Sequence, residues 1–268
     1  MKNGIFFLAA AMCGLVSCAS CASEQGVGIV AHRGYWNCEE GGMSHNSIAS
    51  LKTACEHGFW GTEFDVNITA DGQLLVFHDS EIDGKMICEY NKSEFDGYCL
   101  PNGEPIPLLD EYLALAKDWP ETTLVLELKP HADENQQQAA VDGIVSCLKS
   151  HGLFSPERVI FISFSMNECR LFAKAAPGFT VQYLGSDSDF ETMKANGVNG
   201  IDMHFPAFIG DPKWKEDAGE NGFSINVWTV NKDEDIRRCL EAGVDFITTN
   251  EPELTRRIMK EMGIRERR

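Results

Sequence analysis

Short apolar runs alternate along this chain with longer stretches whose apolar residues recur at helical spacing. The short runs at Gly28–His32, Thr62–Val66, Thr123–Leu128, Val159–Phe164, Thr180–Leu184, Gly200–Met203, Ser224–Val230 and Asp245–Thr249 predict strands. Between them, Asn46–His57, Leu108–Lys117, Glu134–His151, Met166–Ala176, Phe190–Asn196, Pro212–Asn221, Asp233–Ala242 and Glu253–Met262 predict helices. Eight strands, each followed by a helix, fit an α/β chain folded as a (β/α)8 TIM barrel. A doubly wound open sheet is the rival, but no Gly-x-Gly-x-x-Gly follows the first strand.

Two additions to a minimal barrel are expected. Asp71-Gly72 reads as a hairpin turn, so Gln73–Phe77 should return beside the second strand. The segment 80–107 is rich in Gly, Asp, Asn and Pro and has little periodicity; it predicts an insertion after the second strand, over the barrel mouth. No internal repeat or linker interrupts the rest, so 24–268 is expected to be one domain.

Residues 1–23 change that picture only at the N-terminus. Lys2 and the apolar run Ile5–Val16 have the form of an export signal. Leu15-Val16-Ser17-Cys18 resembles a bacterial lipobox, which would make Cys18 a lipid-bearing residue and the protein an exported, lipid-anchored one. Secretion after a small residue near Ala22 is the alternative. Beyond the leader no apolar run is long enough to span a bilayer.

With 41 acidic against 23 basic residues the net charge is −18, which argues against electrostatic binding to nucleic acid or an anionic membrane. It leaves room for an anionic small molecule in a locally positive cleft. Beyond the leader the cysteines are odd in number and form no Cys-x-x-Cys pair, so a zinc site is not expected. Cys88 and Cys99 bracket a short polar segment and are a candidate disulfide in an exported protein. Oligomeric state is not legible.

The candidate chemistry centres on Glu63 and Asp65. Side chains alternate along a strand, so the two carboxylates share one face while Phe64 and Val66 take the other. Such a pair is compatible with a solvated strand face. Taken alone it reads more readily that way than as a site for a bound hard divalent cation, Mg2+ or Ca2+. The neighbouring chemistry favours the cation: His32 and Arg33 end the first predicted strand, His78 follows the hairpin, and Glu127 and Lys129 share a face at the end of the third. In a barrel all of these open at the C-terminal rim, where active sites are built.

These motifs occur in the order Ala-His32-Arg33-Gly34, Glu63-x-Asp65, Phe-His78-Asp79, Leu-Glu127-Leu-Lys129, Val227-Trp228-Thr229-Val230-Asn231 and Ile247-Thr248-Thr249-Asn250-Glu251-Pro252. In that order they resemble the glycerophosphodiester phosphodiesterase family, from about Gly28 to Pro252. The resemblance implies metal-dependent hydrolysis of glycerophosphodiesters to glycerol 3-phosphate and an alcohol. It implies Glu63, Asp65 and Glu127 as metal ligands and His32 and His78 as the general acid–base pair. It implies that Arg33 and Lys129 bind the phosphate and that Trp228 walls the substrate pocket. One departure stands out: where the family carries Pro-Glu-Asn-Thr, this chain has Ser44-His45-Asn46-Ser47. Asn46 suits a helix N-terminus, and Glu39 or Glu40 is a candidate replacement for the missing carboxylate. Asn226 is unexpected in its strand. A phospholipase C- or D-type enzyme and a non-catalytic, lipid-anchored binding protein are the competing functions.

Overall fold

The computed structural model describes residues 26–131 and 133–268; the predicted leader, including Cys18, lies outside the described residues. Eight parallel strands close on themselves: β1 (Gly28–Ala31), β2 (Gly61–Ile68), β6 (Thr123–Leu128), β7 (Val159–Ser163), β8 (Thr180–Tyr183), β9 (Gly200–His204), β10 (Ser224–Trp228) and β11 (Phe246–Thr249). β1 pairs with β11 on one side, Gly28 opposite Phe246, and with β2 on the other, Val30 opposite Gly61. That double pairing removes any free edge.

Helices α1 (Ile48–Glu56), α2 (Leu109–Ala116), α3 (Glu134–Ser150), α4 (Met166–Ala175), α5 (Phe190–Ala195), α6 (Phe205–Gly210), α7 (Lys213–Asn221), α8 (Asp233–Ala242) and α9 (Pro252–Met262) surround the strands. Side chains at Asp133, Ser165 and Asp189 accept from backbone N–H groups in the first turns of α3, α4 and α5, as good N-caps do. Short α6 was not expected. Its six residues are too few to show a helical period, although Pro206 sits in its first turn, where proline is tolerated.

Alternation along the strands separates two apolar layers. Ile29, Phe64, Val66, Leu126, Leu128 and Phe161 point outward into the main core beneath the helices. Val30, Val125, Ile160, Ile162, Leu184 and Phe246 point into the barrel, with Trp60 stacked on Phe246 at the end away from the strand C-termini. The barrel bore is therefore plugged below and open above.

The hairpin is present: β3 (Leu74–Val76) runs antiparallel to β2, with Val66 opposite Val76. The insertion adds the ribbon β4 (Glu81–Ile82) and β5 (Lys85–Met86), then two 3-10 turns. Its lack of periodicity hides a small core of its own, where Ile82, Ile87, Phe95, Leu100 and Ile106 gather on Leu75. Cys88 and Cys99 are both free thiols, so the candidate disulfide is not formed.

A second correction concerns the start of α1. The cap is Ser47, in a reciprocal box with Ser50, and not Asn46. Asn46 instead adopts a positive φ of 55°, which turns its amide away from the helix and toward β2.

Candidate active site

Pleating sends Glu63 and Asp65 into the barrel at the mouth end of β2. The β2–β6 register then sets Glu127 directly beside Asp65. The three carboxylates are 3 %, 1 % and 8 % exposed, and one oxygen of each lies within 4.8 Å of the others. Among the described residues Glu63 Oε1 is buried with no hydrogen-bond partner.

Two cations hold this group from one side. Lys129 Nζ lies 2.7 Å from Glu127 Oε1 and 3.3 Å from Asp65 Oδ1. Arg33 Nε is 3.6 Å from Asp65 Oδ2, and the Arg33 backbone N–H donates to Glu63 Oε2 at 2.8 Å. Arg33 can do both because the chain leaves β1 with positive φ at Arg33 and Gly34 (57° and 77°). Gly34 N–H then donates to the Glu63 carbonyl at 3.1 Å.

Burial dominates the electrostatics. It pushes Glu127 up to about 8, aided by the charge on Asp65 and opposed by Lys129. It also raises Glu63 well above the usual carboxylate range, with Asp65 and Glu127 adding to the rise. For Asp65 burial again opposes ionisation, but Lys129, His78, Arg33 and the Asn46 amide together outweigh it and hold the carboxyl below its ordinary value. Two of the three carboxyls thus resist ionising while no further positive charge lies among them.

The histidines flank the group. His32 is pushed down to about 4, by burial first and then by the Arg33 charge. Its Nδ1 is 2.7 Å from Asn250 Oδ1, which also accepts from Trp36 Nε1 at 3.2 Å. An acceptor shared in this way assigns the proton to Nδ1 and leaves Nε2, 3.9 Å from Glu63 Oε2, with its lone pair free. His78 at the rim has Nδ1 2.7 Å from Asp79 Oδ1 and is lowered by burial, with the Asp65 charge acting against that.

His32, Arg33, Glu63, His78, Glu127 and Lys129 line one half of a cleft of about 290 Å³. The other half is apolar, formed by Ile162, Phe164, Leu184 and Trp228, with Asp202 and Thr248 deeper in. Phe164 meets Trp228 edge to face at 5.6 Å. All eight residues singled out from the sequence therefore converge on one mouth, except that Asp65 is covered by its neighbours and reaches the cleft only through them.

Other residues were not legible. Glu39 and Glu40 are exposed and outside the acidic group, so neither replaces the carboxylate missing at His45. His45 packs edge to face on Trp36 at 4.0 Å. The carboxylate that does reach the start of α1 is Glu104, from the insertion, which accepts from Ile48 N–H at 2.8 Å and Ala49 N–H at 3.3 Å. Nothing in linear sequence pairs positions so far apart. Asp202, by contrast, carried a signal: in β9 it alternates with outward Ile201 and Met203, which places it inside the barrel.

Comparison with known proteins gives the family and the fold. The model of the Glycerophosphoryl diester phosphodiesterase family matches residues 32–254. A crystal structure of a glycerophosphodiester phosphodiesterase from Parabacteroides distasonis is 37 % identical, covering 89 % of this chain and 99 % of that one with a TM-score of 0.84. The glycerophosphodiester phosphodiesterase of Caldanaerobacter subterraneus subsp. tengcongensis is 28 % identical over 248 residues, 88 % of this chain and 98 % of its own. An Oleispira antarctica phosphodiesterase, solved in complex with the product sn-glycerol-3-phosphate, shares the fold at 22 % identity and a TM-score of 0.75, covering 89 % and 99 % of the two chains.

Proposed function

The chain belongs to the glycerophosphoryl diester phosphodiesterase family, whose enzymes are phosphoric diester hydrolases, and we propose that it cleaves glycerophosphodiesters to glycerol 3-phosphate and an alcohol with the help of one divalent cation. The observation that carries this reading is the buried carboxylate group at the mouth of β2 and β6. Its composition fits a cation: among the described residues Glu63 Oε1 lacks a partner, and two of the three carboxyls are held above their ordinary range by burial and by their neighbours' negative charge. Glu63, Asp65 and Glu127 would hold the ion, and an all-oxygen set suits Mg2+ or Ca2+. Bound there, such an ion supplies Lewis-acid polarisation of the phosphoryl group and neutralises its charge.

The remaining work falls to this chain's own side chains. Arg33 and Lys129 line the cleft beside Glu63 and Glu127, where a guanidinium fork and an ammonium attract a phosphodiester. His32 is neutral at physiological pH with Nε2 unprotonated, so it suits removal of the proton from the attacking O–H group. His78 lines the same cleft with its Nδ1–H donated to Asp79; protonated at Nε2, it would deliver a proton to the departing alkoxide. Trp228 and Phe164 wall the pocket against which the carbon skeleton packs.

The proposal includes the location. A leader over 1–23 would export the protein, with a lipid on Cys18 as tether or simple secretion as the alternative, and the substrate would then be an extracytoplasmic diester. Hydrolysis of glycerophosphocholine, glycerophosphoethanolamine and a lysophospholipid, with and without chelator, tests the function. Chelator-sensitive release of glycerol 3-phosphate from the two small diesters supports it. Preference for the lysolipid favours the phospholipase reading, and no turnover of any diester with metal added favours a binding protein.

A further inference from the structure

Asp202 is an acidic residue that none of the chemistry above uses, yet it lines the cleft at 1 % exposure, and burial, with the Glu127 charge adding to it, raises its carboxyl well above the ordinary value. β9 lies four strands from β2 in either direction around the barrel, so Asp202 faces the acidic group from the opposite wall. Its side chain is held from behind. Asn226, its register partner on β10, donates from Nδ2 to Asp202 Oδ2 at 3.1 Å and to Thr248 Oγ1 at 2.9 Å. Asn226 Oδ1 is fixed in turn by the Val227 N–H at 2.9 Å and the Thr248 hydroxyl at 3.2 Å. Trp228 Nε1 donates to the Asp202 carbonyl at 3.2 Å, which ties the pocket's aromatic wall to the same residue.

The result is an oriented carboxyl with one oxygen, Oδ1, that is buried and has no partner among the described residues. Leaving such an atom unsatisfied is costly, and an incoming hydroxyl, which can donate or accept, recovers that cost. The surroundings limit the ligand. Leu184, Ile162 and Trp228 are apolar, and Thr229 and Thr248 are the polar side chains that line the cleft with them. A short carbon chain bearing hydroxyls matches them, with its carbons against the apolar wall and a hydroxyl on Oδ1.

We propose that Asp202 is a specificity-determining residue: its free oxygen forms a hydrogen bond with a hydroxyl of the substrate's glycerol moiety, while Asn226 and Thr248 hold it in place. The inference rests on the phosphodiesterase reading, since the phosphate must sit at the acidic side for glycerol to reach β9. It also accounts for Asn226, which positions Asp202 and does not itself line the cleft.

The test is calorimetric binding of sn-glycerol 3-phosphate and n-propyl phosphate to the full chain with divalent cation present. The two ligands share the phosphate and the three-carbon chain and differ in the hydroxyls. The wild type should prefer glycerol 3-phosphate by about 3- to 10-fold, the usual net worth of a hydrogen bond. Asp202→Ala should bring that preference close to parity by weakening glycerol 3-phosphate alone, and Asp202→Leu, which keeps most of the side-chain volume but has no hydrogen-bonding atom, carries the same test should the alanine variant misfold. Equal binding of the two ligands by the wild type overturns the proposal, as does a preference that survives both substitutions. Tighter, Asp202-dependent binding of phosphoethanolamine overturns it in favour of a site for a cationic leaving group. Failure of every phosphomonoester to bind removes the reading beneath it as well.

Discussion

The Asn46 side chain grips Asp65 at two points: Nδ2 donates to Oδ2 at 2.8 Å, and Oδ1 accepts from the Asp65 backbone N–H at 3.2 Å. Both residues are buried, so this contact fixes the rotamer of the central carboxylate and helps to hold it ionised. Asn46→Asp keeps the size and tolerates the positive φ, but sets an acceptor against an acceptor. It should lower divalent-cation affinity by about 10- to 100-fold, the usual cost of losing a group that orients a metal ligand. Titrating activity against cation concentration checks this: the half-saturation point should rise, with much of the rate restored at saturation.

His32 and His78 differ in burial but should matter alike. Replacing either with alanine should reduce kcat by about a hundred- to ten-thousand-fold with little change in binding of glycerol 3-phosphate. Asn250→Ala, which frees the His32 Nδ1 hydrogen bond, should reproduce part of the His32 loss. Steady-state kinetics on glycerophosphocholine distinguish these outcomes from a change in KM alone.

The barrel was legible because each strand carries its own alternation: outward Phe64 and Val66 predict inward Glu63 and Asp65 without reference to anything distant. The same reasoning placed Glu127 and Lys129. What it missed depends on contacts across the fold. Asn46 reads as a helix cap by residue type, and only the β1–α1 turn, with its positive φ, sends it to Asp65. Glu104 reaches α1 from the insertion and Asn250 reaches His32 from β11's end, pairings that no local period encodes. The insertion's small core was hidden because its apolar residues follow neither helical nor strand spacing.

The metal-free protein should lose stability as pH rises from about 6.5 to 8. Glu127 titrates at about 8 when folded against 4.5 when unfolded, so in this window the native state holds a proton that the unfolded chain has released, and stability falls with pH. The lowered histidines, His32 among them, act with the opposite sign but only below their unfolded value of 6.5. Thermal melting at constant ionic strength should show the slope, and Glu127→Gln should flatten it. Added divalent cation should raise Tm more at pH 8 than at pH 6.5, since it no longer competes with the proton.

Gly34 has no room for a side chain. With φ at 77°, a Cβ there would lie 2.4 Å from Ser50 Oγ and 2.7 Å from the Ser50 carbonyl carbon. Gly34→Ala must displace α1 or the His32–Arg33 turn, and should cost about 1–3 kcal/mol. Denaturant unfolding measures that cost. Activity should fall further than stability explains, because Arg33 and the Glu63 carbonyl are anchored by the same turn.

The central claim is that Glu63, Asp65 and Glu127 together hold one divalent cation. Calorimetric titration of the chelator-treated protein with Mg2+ and Ca2+ tests it most directly. One saturable site per chain, lost in both Glu63→Gln and Glu127→Gln while the variants remain folded, is the expected result. No saturable binding by the wild type, or binding that persists in both variants, would contradict it.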